Sequence, residues 1–146
     1  MRKTNLISDP MNFPEHIKQF GLTADTLLVW AFIPFREDGF FGDSYDWQTT
    51  QKELDAAFQQ LGINWRWQPV TLNELPGAVQ KVRSDNSGKF SLVLNYCDGD
   101  EKNGFPGLSV VHALESAGIA YSGADAFFYE ISSSKTGMKR MFEKSG

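Results

Sequence analysis

Cysteine is almost absent: Cys97 is the only one in 146 residues, so no disulfide can form within the chain. A lone thiol suits a reducing compartment, and the expected location is the cytoplasm. Long apolar runs are missing too, and no stretch approaches the ~20 residues that cross a bilayer. The start, Met1-Arg2-Lys3-Thr4-Asn5, carries positive charge but has no long apolar region behind it, so a signal peptide is not expected. There is no surplus of basic residues. Fourteen Lys and Arg stand against eighteen Asp and Glu, a net charge of −4, which argues against nucleic acid as a partner. Internal repeats and low-complexity segments are also lacking. What is present is ordinary for a globular domain: 41% hydrophobic and 22% charged residues, in a length that suits one domain with a proper core.

Hydrophobic periodicity divides the chain into alternating elements. Residues 1–24 read as an N-terminal extension, an irregular lead-in followed by a short helix that opens near Pro14 and ends by Gly21. Thr26-Leu27-Leu28-Val29-Trp30-Ala31-Phe32-Ile33 is a continuous apolar run, the pattern of a strand buried on both faces of a parallel sheet, and Pro34 closes it. The segment from Phe35 to Tyr45, rich in Gly, Phe and charge, then stands at the carboxyl end of that strand, where open α/β sheets bind ligands.

A helix is expected from Asp46, a good N-cap, to Leu61. Its apolar face would comprise Trp47, Thr50, Leu54, Ala57, Phe58 and Leu61, with Gly62 as the stop. Residues 63–70 alternate and predict a more exposed strand near an edge. Thr71-Leu72-Asn73-Glu74 matches a capping box, and Pro76 shifts the helix start to a span of 76–83. A polar loop leads to a strand at 90–95. Next come an acidic loop, a helix over 108–117 capped by Gly118, a short strand at 119–121, and helices over 124–131 and 134–144. This alternation predicts an α/β, Rossmann-like three-layer domain with a mostly parallel sheet of about four to five strands.

Within the last third, Gly118-Ile119-Ala120-Tyr121-Ser122-Gly123 is followed about a dozen residues later by Ser134-Lys135 and then Lys139. In this order the motifs resemble the D-alanine–D-alanine ligases and the wider ATP-grasp carboxylate–amine ligases. In that family a GxPYTG-like turn leads into a helix opening with a Ser/Asp-Lys pair. The likeness spans roughly residues 92–144, is patchy over 26–46, and is missing from the first two dozen residues. It implies that 25–146 is the domain preceding the ATP-grasp subdomains of a longer enzyme. Such an enzyme uses ATP and Mg2+ to convert a carboxylate into an acyl phosphate, which an amine then attacks. The implied partners are an amino acid or another small carboxylate or amine, and a second copy in a homodimer. Trp65-Arg66-Trp67 or the 127–129 aromatics would serve that dimer. The metal ligands and most adenine contacts would lie in the later subdomains, so this chain alone is expected to be inactive and to bind no cofactor tightly.

Four residues are singled out. Lys135 at a helix start can pair with a nucleotide phosphate beside the positive helix end, and Lys139 lies one turn on; each can equally be a solvated surface lysine. Asp46 and Ser44 stand where the family carries a GGxSxE-like loop whose carboxylate holds a substrate ammonium. Asp46 is also a good helix cap, and Ser44 can make a simple turn. The family's HGxxGEDG segment is matched only by Gly and acidic residues after a buried strand; Asn95-Tyr96-Cys97 replaces its histidine, which opens the question of which amino acids are joined. Asp98, Asp100 and Glu101 lack the spacing of a calcium loop and read as a solvated acidic edge. Cys97 has no histidine obviously placed to activate it, His112 reads as a surface or boundary residue, and Phe127-Phe128-Tyr129 reads as core or interface packing. The alternative is a stand-alone Rossmann-like module that binds a small molecule or a protein without catalysis.

Overall fold

Every residue of Leu27–Pro34 is buried, and this strand, β1, is the centre of the computed structural model, which describes residues 21–40, 45–132 and 135–145. The remaining elements alternate between helix and strand up to a last pair of helices: α1 (Trp47–Leu61), β2 (Asn64–Val70), α2 (Leu75–Arg83), β3 (Phe90–Asn95), α3 (Leu108–Ser116), β4 (Ala120–Tyr121), α4 (Ala126–Ser132) and α5 (Lys135–Lys144). The four strands form one sheet in the order β2-β1-β3-β4, and every neighbouring pair is parallel. Parallel neighbours need helical crossovers, and each pair is separated in sequence by one or more helices. Pro34 ends β1 from inside the ladder, opposite Val70.

Alternation along β1 sorts the core into two layers. Leu28, Trp30 and Phe32 pack with Val79 and Val82 of α2 and Val110 and Leu114 of α3. Ala31 and Ile33 point the other way, towards Trp47 and Leu54 of α1 and Trp65 and Trp67 of β2. The result is an α/β, Rossmann-like three-layer domain, with helices on both faces of a four-stranded parallel sheet. Phe32 is fully buried, so truncating it to alanine would cost about 3–5 kcal/mol.

The helix ends are built from local chemistry. Gly118 adopts φ +65° after α3, and this left-handed turn lets the Ile119 N–H reach the Leu114 carbonyl at 3.0 Å. Thr71 caps the turn before α2 by accepting the Glu74 N–H at 3.2 Å, and Pro76 then falls in the first turn of α2, where it is tolerated.

Three expectations need correction. The apolar face of α1 is narrower than its periodicity implied: Ala57 and Leu61 are exposed, and Trp47, Thr50, Leu54 and Phe58 carry the contact. Trp65 and Trp67 lie half-buried under α1, because the sheet face of edge strand β2 is covered even though, among the described residues, no strand pairs with its outer edge. Phe127 and Phe128 do not pack into a core; they are 65% and 61% exposed. The short N-terminal helix, Ser44 and Ser134 lie outside the described residues.

Candidate functional site

The strand order reverses between β1 and β3, so the crevice beyond their carboxyl ends is the natural ligand position of this sheet. Two loops flank it. The first leaves β1 with the Phe35 N–H donating to the Val70 carbonyl at 2.9 Å, then turns tightly through Arg36–Phe40. The second leaves β3 with the Tyr96 N–H donating to the Phe32 carbonyl at 3.0 Å. Arg36 joins them: its guanidinium lies 5.2 Å from the Phe40 ring centre and 5.9 Å from that of Phe105, with Asp38 as its ion partner.

The second loop closes on itself through glycines. The Gly99 N–H donates to the Pro106 carbonyl at 2.9 Å, and a Cβ added at Gly107 would overlap the Gly99 carbonyl oxygen. Only glycine fits there. This approach also presents Gly107, which has no side chain to cap with, as the residue preceding α3. Glu101 supplies the cap instead. Its carboxylate accepts from the Gly107 N–H at 3.2 Å, the Ser109 N–H at 2.7 Å and the Ser109 hydroxyl at 2.8 Å. Asp100 is similarly engaged, accepting from the Lys102 N–H at 2.9 Å and the Asn103 amide at 2.8 Å.

Beside this loop, Asp98, Asp100, Glu101, Lys102, Leu108 and Tyr129 line an open hollow of about 630 Å3. Burial, reinforced by the negative charge of Asp98 and Glu101, pushes the Tyr129 hydroxyl above its ordinary pKa. Among the described residues, no three His, Cys, Asp or Glu side chains converge on a metal position.

Asp46 is the N-cap of α1. It accepts the Thr49 N–H at 3.0 Å and the Thr49 hydroxyl at 2.6 Å, and these bonds, the hydroxyl first, hold its carboxyl below the usual range. The carboxylate is exposed, so it stays ionised at neutral pH with a solvent-facing side. Lys135 is the first residue of α5 and is exposed. Lys139 is exposed and stands 3.9 Å from Glu143, four residues on.

Cys97 is 1% exposed, its thiol lies 3.7 Å from the Phe32 carbonyl, and burial pushes its pKa far upward, so it is no nucleophile at neutral pH. His112 is exposed and meets Glu130 at 3.0 Å, linking α3 to α4.

Sequence reasoning missed Arg36, and it read Glu101 as part of a solvated acidic edge where the carboxylate instead caps α3. Arg36 gave a faint signal, a basic residue flanked by Phe35 and Phe40 after the strongest strand. Glu101 gave none, because a cap donated from six to eight residues upstream has no fixed spacing.

Comparison with known proteins adds no relative: no family model, curated protein or solved structure matches the chain. The class defined by fold and loop geometry is therefore a Rossmann-like α/β domain with a candidate site at its topological switch point.

Proposed function

We propose that the chain is the N-terminal, substrate-side domain of an ATP-dependent carboxylate–amine ligase of the D-alanine–D-alanine ligase type. One observation carries this reading: the family-like motifs fall on the elements that the family pattern requires. Gly118 ends α3, Ala120–Tyr121 is strand β4, and the chain then passes through α4 to an α5 whose first residue is Lys135. The order strand, turn, helix, lysine-headed helix runs in the sequence and in the fold alike.

Asp46 supplies a carboxylate that is ionised at neutral pH, after the loop that follows β1, suited to a substrate ammonium. Lys135 and Lys139, one helical turn apart and both exposed, offer two cations to a polyphosphate. Bound ATP supplies the phosphoryl group that turns the carboxylate into an acyl phosphate; attack by the amine then forms the amide and releases phosphate. Magnesium ligation belongs to residues outside this chain.

The test is ADP release by the full-length protein, supplied with ATP, Mg2+ and a panel of D- and L-amino acids. Release that depends on an amino acid, with a dipeptide-like product, is expected. Release no faster than in its absence, across the panel, overturns the proposal. The 146-residue chain alone should bind ATP weakly, since two exposed lysines provide little affinity once ordering costs are met. Low-micromolar, Mg-dependent binding by calorimetry would mean that the nucleotide pocket lies largely here.

A second reading, a stand-alone binding module without catalysis, is favoured by a different observation. Internal carboxylates already occupy the N-termini of α1, α3 and α4, through Asp46, Glu101, and Glu115 with Asp125. Those helix ends are closed to a nucleotide phosphate.

A further inference from the structure

Of the seven asparagines in the chain, Asn103 alone is followed by glycine. An Asn-Gly pair is prone to deamidation, because glycine has no side chain to keep its backbone nitrogen away from the neighbouring carboxamide. In that reaction the Gly104 nitrogen loses its proton and attacks Cγ of Asn103. The carboxamide nitrogen leaves as ammonia, and a five-membered succinimide closes. Water then opens the ring at either carbonyl, leaving aspartate or isoaspartate at position 103. Water is the only reactant consumed, and Asn103 is exposed to it.

Three restraints in the folded chain oppose ring closure. The nucleophile is engaged: the Gly104 N–H donates to the Glu101 carbonyl at 3.1 Å. The carboxamide is tethered, its Nδ2 donating to Asp100 Oδ2 at 2.8 Å. The backbone is turned the wrong way, since Glu101–Asn103 form a 3₁₀ turn. Helical ψ holds the Gly104 nitrogen to one side of the Asn103 side chain, whereas closure needs the two eclipsed. Asp100 fastens this arrangement from both ends. Its carboxylate also accepts the Lys102 N–H at 2.9 Å, and its carbonyl accepts the N–H groups of Asn103 at 3.0 Å and Phe105 at 3.2 Å.

We propose that Asn103-Gly104 is a deamidation site that Asp100 holds closed in the native protein, and that its conversion loosens the loop between β3 and α3. The product sets a carboxylate at position 103 against the Asp100 carboxylate, so repulsion replaces a hydrogen bond. Isoaspartate also inserts a methylene into the main chain between Glu101 and Gly104. On one side of that insertion Glu101 caps α3. On the other, Phe105 lies 5.9 Å from the Arg36 guanidinium and joins the two loops of the switch point. One covalent change therefore acts on both the helix cap and the loop contact. No part of the ligase reading is needed for it.

The experiment incubates the 146-residue chain at mildly alkaline pH, once in native buffer and once unfolded in guanidinium chloride. Mass spectrometry of the peptide containing Asn103 follows the change from amide to acid, and enzymatic methylation detects isoaspartate. Native conversion should be slower than unfolded conversion by about tenfold or more, the worth of one hydrogen bond to a charged group. Asp100→Ala should speed native conversion by about tenfold. Asp100 is exposed, so this variant should keep its fold, verified by unmoved amide signals outside the loop. Asp100→Asn keeps an acceptor oxygen, and its rate should fall between the two. The isoaspartate form, isolated by ion exchange, should melt below the unmodified chain. Equal native and unfolded rates, or a folded Asp100→Ala variant no faster than its parent, overturn the protection. An isoaspartate form with an unchanged melting temperature overturns its consequence for the loop.

Discussion

Glu101 closes the first turn of α3 from outside that helix, with one carboxylate oxygen 2.7 Å from the Ser109 backbone nitrogen and the other 2.8 Å from the Ser109 hydroxyl. Helix caps normally come from the residue preceding the helix. Here that residue is Gly107, forced to be glycine by the Gly99 backbone packed against it, so the loop reaches forward to do the capping. Glu101→Ala should therefore lower unfolding stability by about 1–3 kcal/mol, the range of a lost cap or a charged hydrogen bond. Glu101→Gln keeps an acceptor but loses the charge facing the helix dipole, and should cost less, about 0.3–1 kcal/mol. Urea denaturation gives both numbers; an alanine variant with an unchanged midpoint would show that the bonds contribute nothing net.

The same relationship marks the limit of what could be read from the chain. Element identity was legible, because β1 is an unbroken apolar run and Gly62 and Gly118 punctuate the helices. Parallel pairing followed from the alternation of strands and helices. The position of β2 at an edge was legible from its alternating residues. The half-burial of Trp65 and Trp67 was not, since it depends on which helix lies over them. Phe127 and Phe128 left core and interface both open, and their exposure removes only the core: a cluster of aromatic residues says that something will be covered, not what covers it. Of the proposed site residues, Asp46 declared its cap role through its place before an apolar helix. Arg36 and Glu101 act across loops, where no periodicity operates.

The acid limit of stability should follow the capping carboxylates. Asp46, Asp38 and Asp25 are held below their ordinary value of 3.8, chiefly by the Thr49 hydroxyl, the Phe40 N–H and the Thr23 hydroxyl respectively. Glu115 lies below 4.5, first through the Ala126 N–H and then through the Tyr121 hydroxyl. In each case the unfolded chain takes up the proton more readily than the folded one. Their contribution is thus fully present above the ordinary carboxylate range and is lost as pH falls through the lowered values. Melting temperature should be flat from neutrality to about pH 5 and fall below about pH 4. Asp46→Asn should shallow that fall; an unchanged acid profile in the variant would show that Thr49 does not hold the charge.

Cys97 should be inert in the native protein. It sits at the end of β3 with 1% of its surface exposed, and burial first, then the adjacent Asp98, disfavours its thiolate. Reaction with an aromatic disulfide reagent at neutral pH should proceed only as fast as the chain unfolds, and completely in denaturant. A native rate close to that of a free thiol would show that the strand end opens readily. That result would also loosen the floor beneath the loop that carries Glu101.

Lys135 decides whether the lysine-headed helix belongs to an active site. It begins α5, is exposed, and follows β4 by way of α4, the succession that the ligase resemblance requires. An ammonium there can meet a phosphate oxygen as charge shifts during phosphoryl transfer, and a preorganised cation is most valuable at that moment. Lys135→Ala in the full-length protein should lower ATP-dependent ligation by about 10²-fold. The melting temperature should barely move, because an exposed lysine supports little packing. Lys139→Ala should cost less, under tenfold, because Lys139 faces Glu143 at 3.9 Å and offers its charge to a phosphate only in competition with that carboxylate. Steady-state kinetics on the two variants separates the cases. A 10²-fold loss for Lys135 alone puts the start of α5 against the nucleotide. Equal, small effects from both would make α5 a solvated helix and leave the switch-point loops, with Asp46 and Arg36, as the part of this domain that meets a ligand.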